Sequence, residues 1–336
     1  MDYVLGIDQG GTKTMAAVAD LKGTILGYGV AGGGYHAIGG LKPAIDEVEK
    51  ATQTACRMAG IQRPHFVSVS AGMTGADFDY EYEILRKALG ERISAHNLRV
   101  VNDCIIAMRA GSASTHGAVL CAGTGLNCAI RSFSGEEFIY GYYIDDFWQG
   151  AASISERALR AVLDASVGLR PETTLATTFF KKLGVKNADE LLHAWIKKEI
   201  VKTSINALAP LVDEQACLGD AVAIKILAEF GIMSAKYAIT GLERFGMLER
   251  PTVLVLSGSV FKSNCPIVGN TLRTEIHANA PLVEVIDGKY EPVVGGVLLA
   301  LEALKKSGLS DGTLESNIER SASRFNLIRK ALHSAE

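Results

Sequence analysis

Residues 3–19, YVLGIDQGGTKTMAAVA, decide how the chain is read. Tyr3 to Ile7 is a short apolar run of the kind that forms a buried strand. Met15 to Ala19 is a second, and Gly10, Gly11, Thr12 and Lys13 lie between them. Two glycines at a strand-to-strand turn let backbone N–H groups converge with no Cβ in the way, which is how a loop cradles phosphate oxygens. Thr12 and Thr14 add hydroxyl donors, Lys13 adds a positive charge, and Asp8 at the strand's end is placed to hold a hydrated Mg²⁺. The same residues also suit an ordinary tight hairpin with a surface lysine. The Walker spacing G-x-x-x-x-G-K-[ST] is absent, so phosphate binding here is of another type.

At 336 residues the chain is long for one core, and two domains are the default. Charged residues make up 21% and hydrophobic residues 48%, with a formal net charge of −3, which leaves no basic excess to attract nucleic acid. The most apolar stretch, Pro292 to Leu304, contains Gly295, Gly296 and Glu302 and is too short to span a bilayer. The start, MDYVLGIDQ, has no basic n-region, so no signal peptide is expected. Six cysteines without a CxxC or paired spacing read as reduced, mostly buried thiols, and the expected location is cytoplasmic.

Thr24 to Tyr28 makes a third strand of an antiparallel meander, and the glycine-rich stretch GYGVAGGGYHAIGG follows. Gly27, Gly29 and Gly32 match the dinucleotide spacing G-x-G-x-x-G, but no helix opens there and no βαβ unit surrounds it, so the match is read as a decoy. Helices are expected over Leu41–Gly60 and Phe78–Leu89, and strands over Phe66–Ala71 and Leu98–Val101, an alternation that argues α/β. Asn102-Asp103 stands at the end of that last strand and opens a helix. A carboxylate there is where α/β enzymes place catalytic groups, and it is also a good N-cap.

In the second half, GAVLCAGTGLN (117–127) repeats the opening logic, with Gly123, Thr124 and Gly125 between two strands. The segment IYGYYIDDFWQGAAS (139–153) offers Gly141, an acidic pair, Asp145 and Asp146, and two aromatics. Carboxylates and rings together recognise amines or several hydroxyls of a sugar, although an ordinary hairpin with exposed charges also fits. From Ile154 to Gly246 the pattern is helical, and Pro251 to Leu256 is a strand followed by Gly258, Ser259 and Val260. Ser259 and Lys262 fit S-x-x-K, but no S-D-N or K-T-G accompanies them and the match is discounted. Arg320, Arg324, Arg329 and Lys330 in a last helix, Ser310 to Leu332, read as a solvated face.

D-x-G-G-T-K-T after an N-terminal strand resembles the first phosphate motif of the actin-like ATPase superfamily, which holds sugar kinases, actin and the large heat-shock chaperones. Within it the chain most resembles the BadF/BadG/BcrA/BcrD ATPase group, which includes the N-acetylglucosamine kinases. The resemblance implies two actin-like ATPase (ribonuclease H-like) domains with mixed five-stranded sheets flanked by helices and a cleft between them. Residues 1–115 and 116–309 would form the two, and the helix in 310–336 would pack back on the first. It further implies ATP and Mg²⁺, with phosphates on Gly10, Gly11, Thr12, Lys13, Thr14, Gly123, Thr124 and Gly125, and Asp8 on the metal. Adenosine would lie on Gly258, Ser259 and Val260. Asp103 would be the general base, and Tyr35, His36, Asn102, Thr124, Gly141 and Asp146 would meet a small sugar or amino sugar. Several positions depart from the family's pattern. Tyr35-His36 replaces Asn-His, Leu126 replaces a serine of G-T-G-S-N-C, Ile139-Tyr140 replaces Gly-Trp, Asp145 replaces a glycine, and Phe147-Trp148 are inserted. The alternative within the group is an ATPase that drives a conformational change in a partner enzyme through a cysteine-held iron–sulfur cluster. Here Cys121 and Cys128 flank the second turn, where cluster ligands are not expected. No nucleic acid or membrane partner is expected, and a homodimer is left open.

Overall fold

The hairpin of residues 3–19 is the centre of the first sheet. Strands β1 (Tyr3–Gln9) and β2 (Lys13–Asp20) pair antiparallel from Tyr3–Asp20 to Gln9–Thr14, and β3 (Ile25–Gly32) extends the meander. Helices α1 (His36–Gly39) and α2 (Leu41–Met58) follow, then β4 (Phe66–Met73), α3 (Asp79–Gly90), β5 (Ala95–Asn102) and α4 (Asp103–Gly111). Both β4 and β5 run parallel to β1, giving the order β3-β2-β1-β4-β5. The computed structural model describes residues 2–304 and 311–329, so parts of the expected C-terminal helix lie outside the described residues.

The second sheet repeats this plan. Strands β6 (Gly117–Ala122), β7 (Leu126–Arg131) and β8 (Glu137–Ile139) form an antiparallel meander. After α5 (Gly150–Ser166), α6 (Leu175–Leu183), α7 (Ala188–Ile196), α8 (Lys202–Asn206), α9 (Ala209–Cys217) and α10 (Ala221–Arg244) comes β9 (Thr252–Ser257), parallel to β6. Next are α11 (Ile267–Asn279), β10 (Val283–Asp287), α12 (Pro292–Glu302) and α13 (Asp311–Arg324), and the sheet order is β10-β9-β6-β7-β8. Two mixed five-stranded sheets flanked by helices are the expected fold.

Side-chain alternation along β1 decides which layer covers each face. Leu5 and Ile7 point to a core shared with Ile45, Val48 and Ala51 of α2 and Leu85 and Leu89 of α3. Val4 points to the opposite core, shared with Val293, Val294 and Val297 of α12 and Ile318 and Ala322 of α13. Helix α4 instead packs Ile105, Ile106 and Met108 against Val119 and Val255 of the second sheet. Each sheet is therefore covered by a helix from the other half of the sequence, and α4 and α12 lie against each other between the sheets. Helix α13 docks back on the first sheet, where Ser321 Oγ accepts the Ile25 N–H at 3.0 Å. It is shorter than the sequence suggests. Asn326 takes a left-handed φ of 55° just past its end, and Ile328 bridges to Tyr290. Arg329 is not on a solvated face: its guanidinium donates to Leu256 O at 3.0 Å and Ser257 Oγ at 2.9 Å.

Candidate active site

Each glycine turn joins the first two strands of its sheet. In the first, Gly10 N–H donates to Lys13 O at 2.9 Å and Gly34 N–H to Gly10 O at 3.1 Å, so the glycine-rich loop braces the turn from behind. Gly11, Thr12 and Lys13 stay exposed. Thr14 does not: it is fully buried, its hydroxyl donating to Gly32 O at 2.8 Å and accepting from Gln9 Nε2 at 3.2 Å. Its hydroxyl anchors the loop and is not part of the open face on which it was expected. In the second turn Gly123 N–H donates to Gly125 O at 2.9 Å. The first amides of α5 close over it, Ala151 N–H reaching Gly123 O at 2.9 Å and Ala152 N–H reaching Thr124 O at 3.1 Å. With these carbonyls occupied, Thr124 and Gly125 present the exposed edge. Gly258 sits beside that turn for a reason of its own. Its φ is +100°, and a Cβ would stand 2.2 Å from Ala122 O, so glycine is required by chain packing as well as by any base above it.

Asp8, at the end of β1, is pushed up to about 6, first by burial and then by Glu291, against the pull of Lys13, Arg329 and Lys262. Glu291 just before α12 gathers the two lysines, with Lys262 Nζ at 2.5 Å and Lys13 Nζ at 4.0 Å. Asp8 suits Mg²⁺, which takes one or two carboxylates and completes its octahedron with water and phosphate oxygens. A cation there also relieves the desolvated carboxylate.

A second group of side chains gathers past the carboxyl ends of β4 and β5. Asn102 caps α4, its Oδ1 accepting Cys104 N–H at 2.9 Å, while its Nδ2 donates to Asp77 Oδ1 at 2.6 Å and Ala76 O at 3.3 Å. Asp103, the first residue of α4, is pushed up to about 7 by burial and then by the negative charges of Asp8 and Asp77. The Cys104 N–H and the Thr74 hydroxyl bond it and offset part of that rise. Asp77 is pushed up to about 6, by burial and then by Glu81. Glu81, itself buried, accepts N–H groups of Asp77 and Phe78 at 2.9 and 3.0 Å. His36 Nε2 lies 3.6 Å from Glu81 Oε1, and among the described residues its buried Nδ1 has no partner. Tyr35 Oη donates to Tyr142 Oη at 3.1 Å, and Gly141 N–H to Asn127 Oδ1 at 2.9 Å. Gly141 lies directly against the Asp77 carboxylate.

Of the residues expected at an acceptor site, Tyr35, His36, Asn102, Asp103 and Gly141 thus gather in one cluster around Asp77 and Glu81. Asp146 stands apart from that cluster. It is exposed, in a 3₁₀ turn, and lines a cavity of about 760 Å³ with Phe147, Arg157 and Glu229 that none of those five residues lines. The carboxylates that act on Asp103 are Asp8 and Asp77, and Glu81 acts on Asp77 in turn; sequence reasoning missed Asp77 and Glu81, along with Glu291 and Lys262. Asp77 does carry a signal, since it lies four residues past the carboxyl end of a strand parallel to β1, where α/β sheets bind ligands. Glu81 and Glu291 carry none that sequence alone exposes.

Comparison with known proteins bears on the family and the fold. The chain is 28% identical to the N-acetyl-D-glucosamine kinase of Dictyostelium discoideum over 326 residues, covering 90% of this chain and 99% of that one. It is 25% identical to the N-acetylmuramic acid/N-acetylglucosamine kinase of Clostridium acetobutylicum over 307 residues, 89% of this chain and 98% of the relative. The fold matches that of a ROK family glucokinase from Streptomyces griseus, solved with glucose and AMPPNP, at a TM-score of 0.57. That match has 17% identity and covers 89% of this chain and 98% of the other. The family model for the BadF/BadG/BcrA/BcrD ATPases matches residues 5–300, and the chain belongs to that family.

Proposed function

We propose that this chain transfers the γ-phosphoryl group of ATP to a hydroxyl of a small sugar or amino sugar, with Asp103 as the general base. The observation that carries the reading is the position of Asp103. It stands at the mouth of β5 beside Asn102, Asp77 and Tyr35, with a pKa of about 7 that suits accepting a proton near neutrality. Residues 2–115 with α12 and α13 make one lobe, and residues 116–291 the other. Exposed backbone N–H groups at Gly11, Thr12, Thr124 and Gly125, with Lys13, hold the phosphates. Gly258, Ser259 and Val260 lie under the adenosine. Asp8 holds Mg²⁺, which supplies positive charge for the phosphate oxygens. Phosphoryl transfer asks little covalent chemistry of the protein, so the work is in-line positioning and charge neutralisation. Asp103 aligns the acceptor hydroxyl and takes its proton late in the transfer. His36, Asn102, Asp77 and Gly141 orient the ring, and the relatives' names favour an N-acetylated hexosamine.

The test is ADP release from ATP–Mg²⁺ with N-acetylglucosamine, glucosamine, N-acetylmuramic acid, N-acetylmannosamine or glucose, against a blank. A rate that appears with one of these sugars supports the kinase. A steady rate indifferent to all of them turns the reading toward a partner-driving ATPase. The acceptor contacts are tested separately. Asp77→Asn should raise the acceptor KM about tenfold or more, and Asp146→Ala should raise it far less, with the ATP KM steady in both. The reverse order returns Asp146 to the acceptor pocket.

A further inference from the structure

We infer that Tyr142 is a latch that closes the second lobe over the acceptor pocket and keeps ATP from being spent on water. The inference rests on the kinase reading for its catalytic consequence, but the latch itself is a matter of contacts. Tyr142 belongs to the short 3₁₀ turn Gly141–Tyr143, which follows β8 of the second sheet. Its ring nevertheless lies on the first lobe. It stacks on Phe78 with centroids 5.7 Å apart and planes 9° from parallel, and Phe78 stacks in turn on Tyr80 at 5.9 Å and 13°. Its hydroxyl stands in the middle of a chain, accepting from Tyr35 Oη at 3.1 Å and donating to Glu81 Oε1 at 3.4 Å. Glu81 is buried and already holds the Asp77 and Phe78 amides, so the tyrosine docks on a rigid acceptor.

The neighbouring residue fixes where this contact sits. Gly141 is tied to Asn127 through its N–H and rests on the Asp77 carboxylate, which in turn holds Asn102 next to Asp103. Tyr142 therefore crosses from one lobe to the other at the rim of the pocket that contains the base. Half of its surface remains open to solvent, so the contact is made at the mouth and can break when the lobes part. A closed mouth strengthens the electrostatics inside and shuts out competing water. Tyr35 and Tyr142, at two of the positions where the chain departs from its family's pattern or lies beside such a departure, are here the two halves of one bond.

The experiment uses the full chain with Tyr142→Ala, Tyr142→Phe and Tyr35→Phe. Sugar-dependent transfer and sugar-independent ADP release are measured together, and small-angle scattering is recorded without ligands. Tyr142→Ala should raise the acceptor KM about tenfold, as expected for two lost hydrogen bonds and a stacked ring. It should also raise the share of ATP lost to water severalfold, leave the ATP KM steady, and increase the radius of gyration. Tyr35→Phe, which loses only the Tyr35–Tyr142 bond, should show the smallest shift, Tyr142→Phe, which also loses the bond to Glu81, an intermediate one, and combining the two should add little to Tyr142→Phe alone. A merely structural tyrosine would lower rate and stability without changing the ratio of transfer to hydrolysis. An unchanged ratio, or an unchanged radius of gyration in Tyr142→Ala, overturns the latch. If the wild type transfers to no sugar, the kinase reading falls and the scattering result alone decides whether the latch exists.

Discussion

Asp103→Asn should cut phosphoryl transfer by about a hundredfold or more and at the same time make the ligand-free chain more stable. The loss is that expected of the general base proposed for Asp103, whose contribution is roughly 10²–10⁴. The gain follows from the same environment that tunes the base. A carboxyl with an ordinary value of 3.8 and a folded-state value of about 7 makes the folded chain the stronger proton binder. Stability is then lost as pH rises from the lower value through the higher one, and the full cost, on the order of 4 kcal/mol, is present above it. Asparagine is isosteric, still accepts the Cys104 N–H and the Thr74 hydroxyl, and never ionises. The melting temperature of the variant, measured with chelator and no nucleotide, should exceed that of the wild type by several degrees at pH 8. The difference should shrink toward zero near pH 4, where both side chains are neutral. In the wild type the acceptor kcat/KM should fall about tenfold per pH unit on the acid side of an apparent value near 7. A variant that keeps ordinary turnover removes Asp103 from the chemistry. One that is less stable at pH 8 shows that the carboxylate is held by bonds worth more than its burial costs.

Asp103 and Asp8 could be singled out as candidates because each closes an apolar run at the strand end where α/β sheets bind ligands. The glycine turns were legible because a strand, two or three small residues and another strand is a local pattern. What the sequence did not disclose is non-local. Asp77 reaches Asn102 across 25 residues and Glu81 meets Tyr142 across 61, and no periodicity or motif ties such pairs together. Glu291 precedes a buried helix and looks like a routine first-turn acid, yet it collects Lys13 from β2 of the first sheet and Lys262 from just past β9 of the second. Thr14 misled for the opposite reason. Its place in the D-x-G-G-T-K-T run suggests a phosphate ligand, but strand alternation turns it inward and Gly32 O takes its hydroxyl. Arg329 was grouped with Arg320 and Arg324 as surface charge, whereas the chain past α13 leaves the helix and carries it to the end of β9.

The opening meander and the strand–helix alternation after it were legible because each carries its own punctuation, whereas the two five-stranded sheets were expected from the family resemblance. The exchange of α4 and α12 between sheets was only half legible. A glycine pair such as Gly295-Gly296 permits close packing, but does not disclose that α12 is gripped on two sides.

That grip yields the other large expected effect, on stability. Gly295→Ala should destabilise the chain by about 3 kcal/mol or more, or leave it insoluble, although alanine is the better helix former by ~1 kcal/mol. A Cβ on Gly295 would stand 1.9 Å from Ile106 O and 2.8 Å from Ala110 N, both backbone atoms of α4 that no rotamer change can move. Helix α12 cannot retreat to make room. On its other side Gly296 lies against Gly6 of β1, so tightly that a Cβ on Gly6 would stand 2.4 Å from Val297 N. The insertion must therefore push α4 off α12, opening a core in which Val293 to Leu301 are all buried. The control is Gly269→Ala in α11, another helical glycine, where nothing lies within 4 Å of the added carbon. There the propensity gain is unopposed, and stability should rise by up to ~1 kcal/mol. Denaturant midpoints of the two variants should fall on opposite sides of the wild type. If both rise, α4 and α12 are not in the contact described, and the passage between the two sheets is looser than this packing requires.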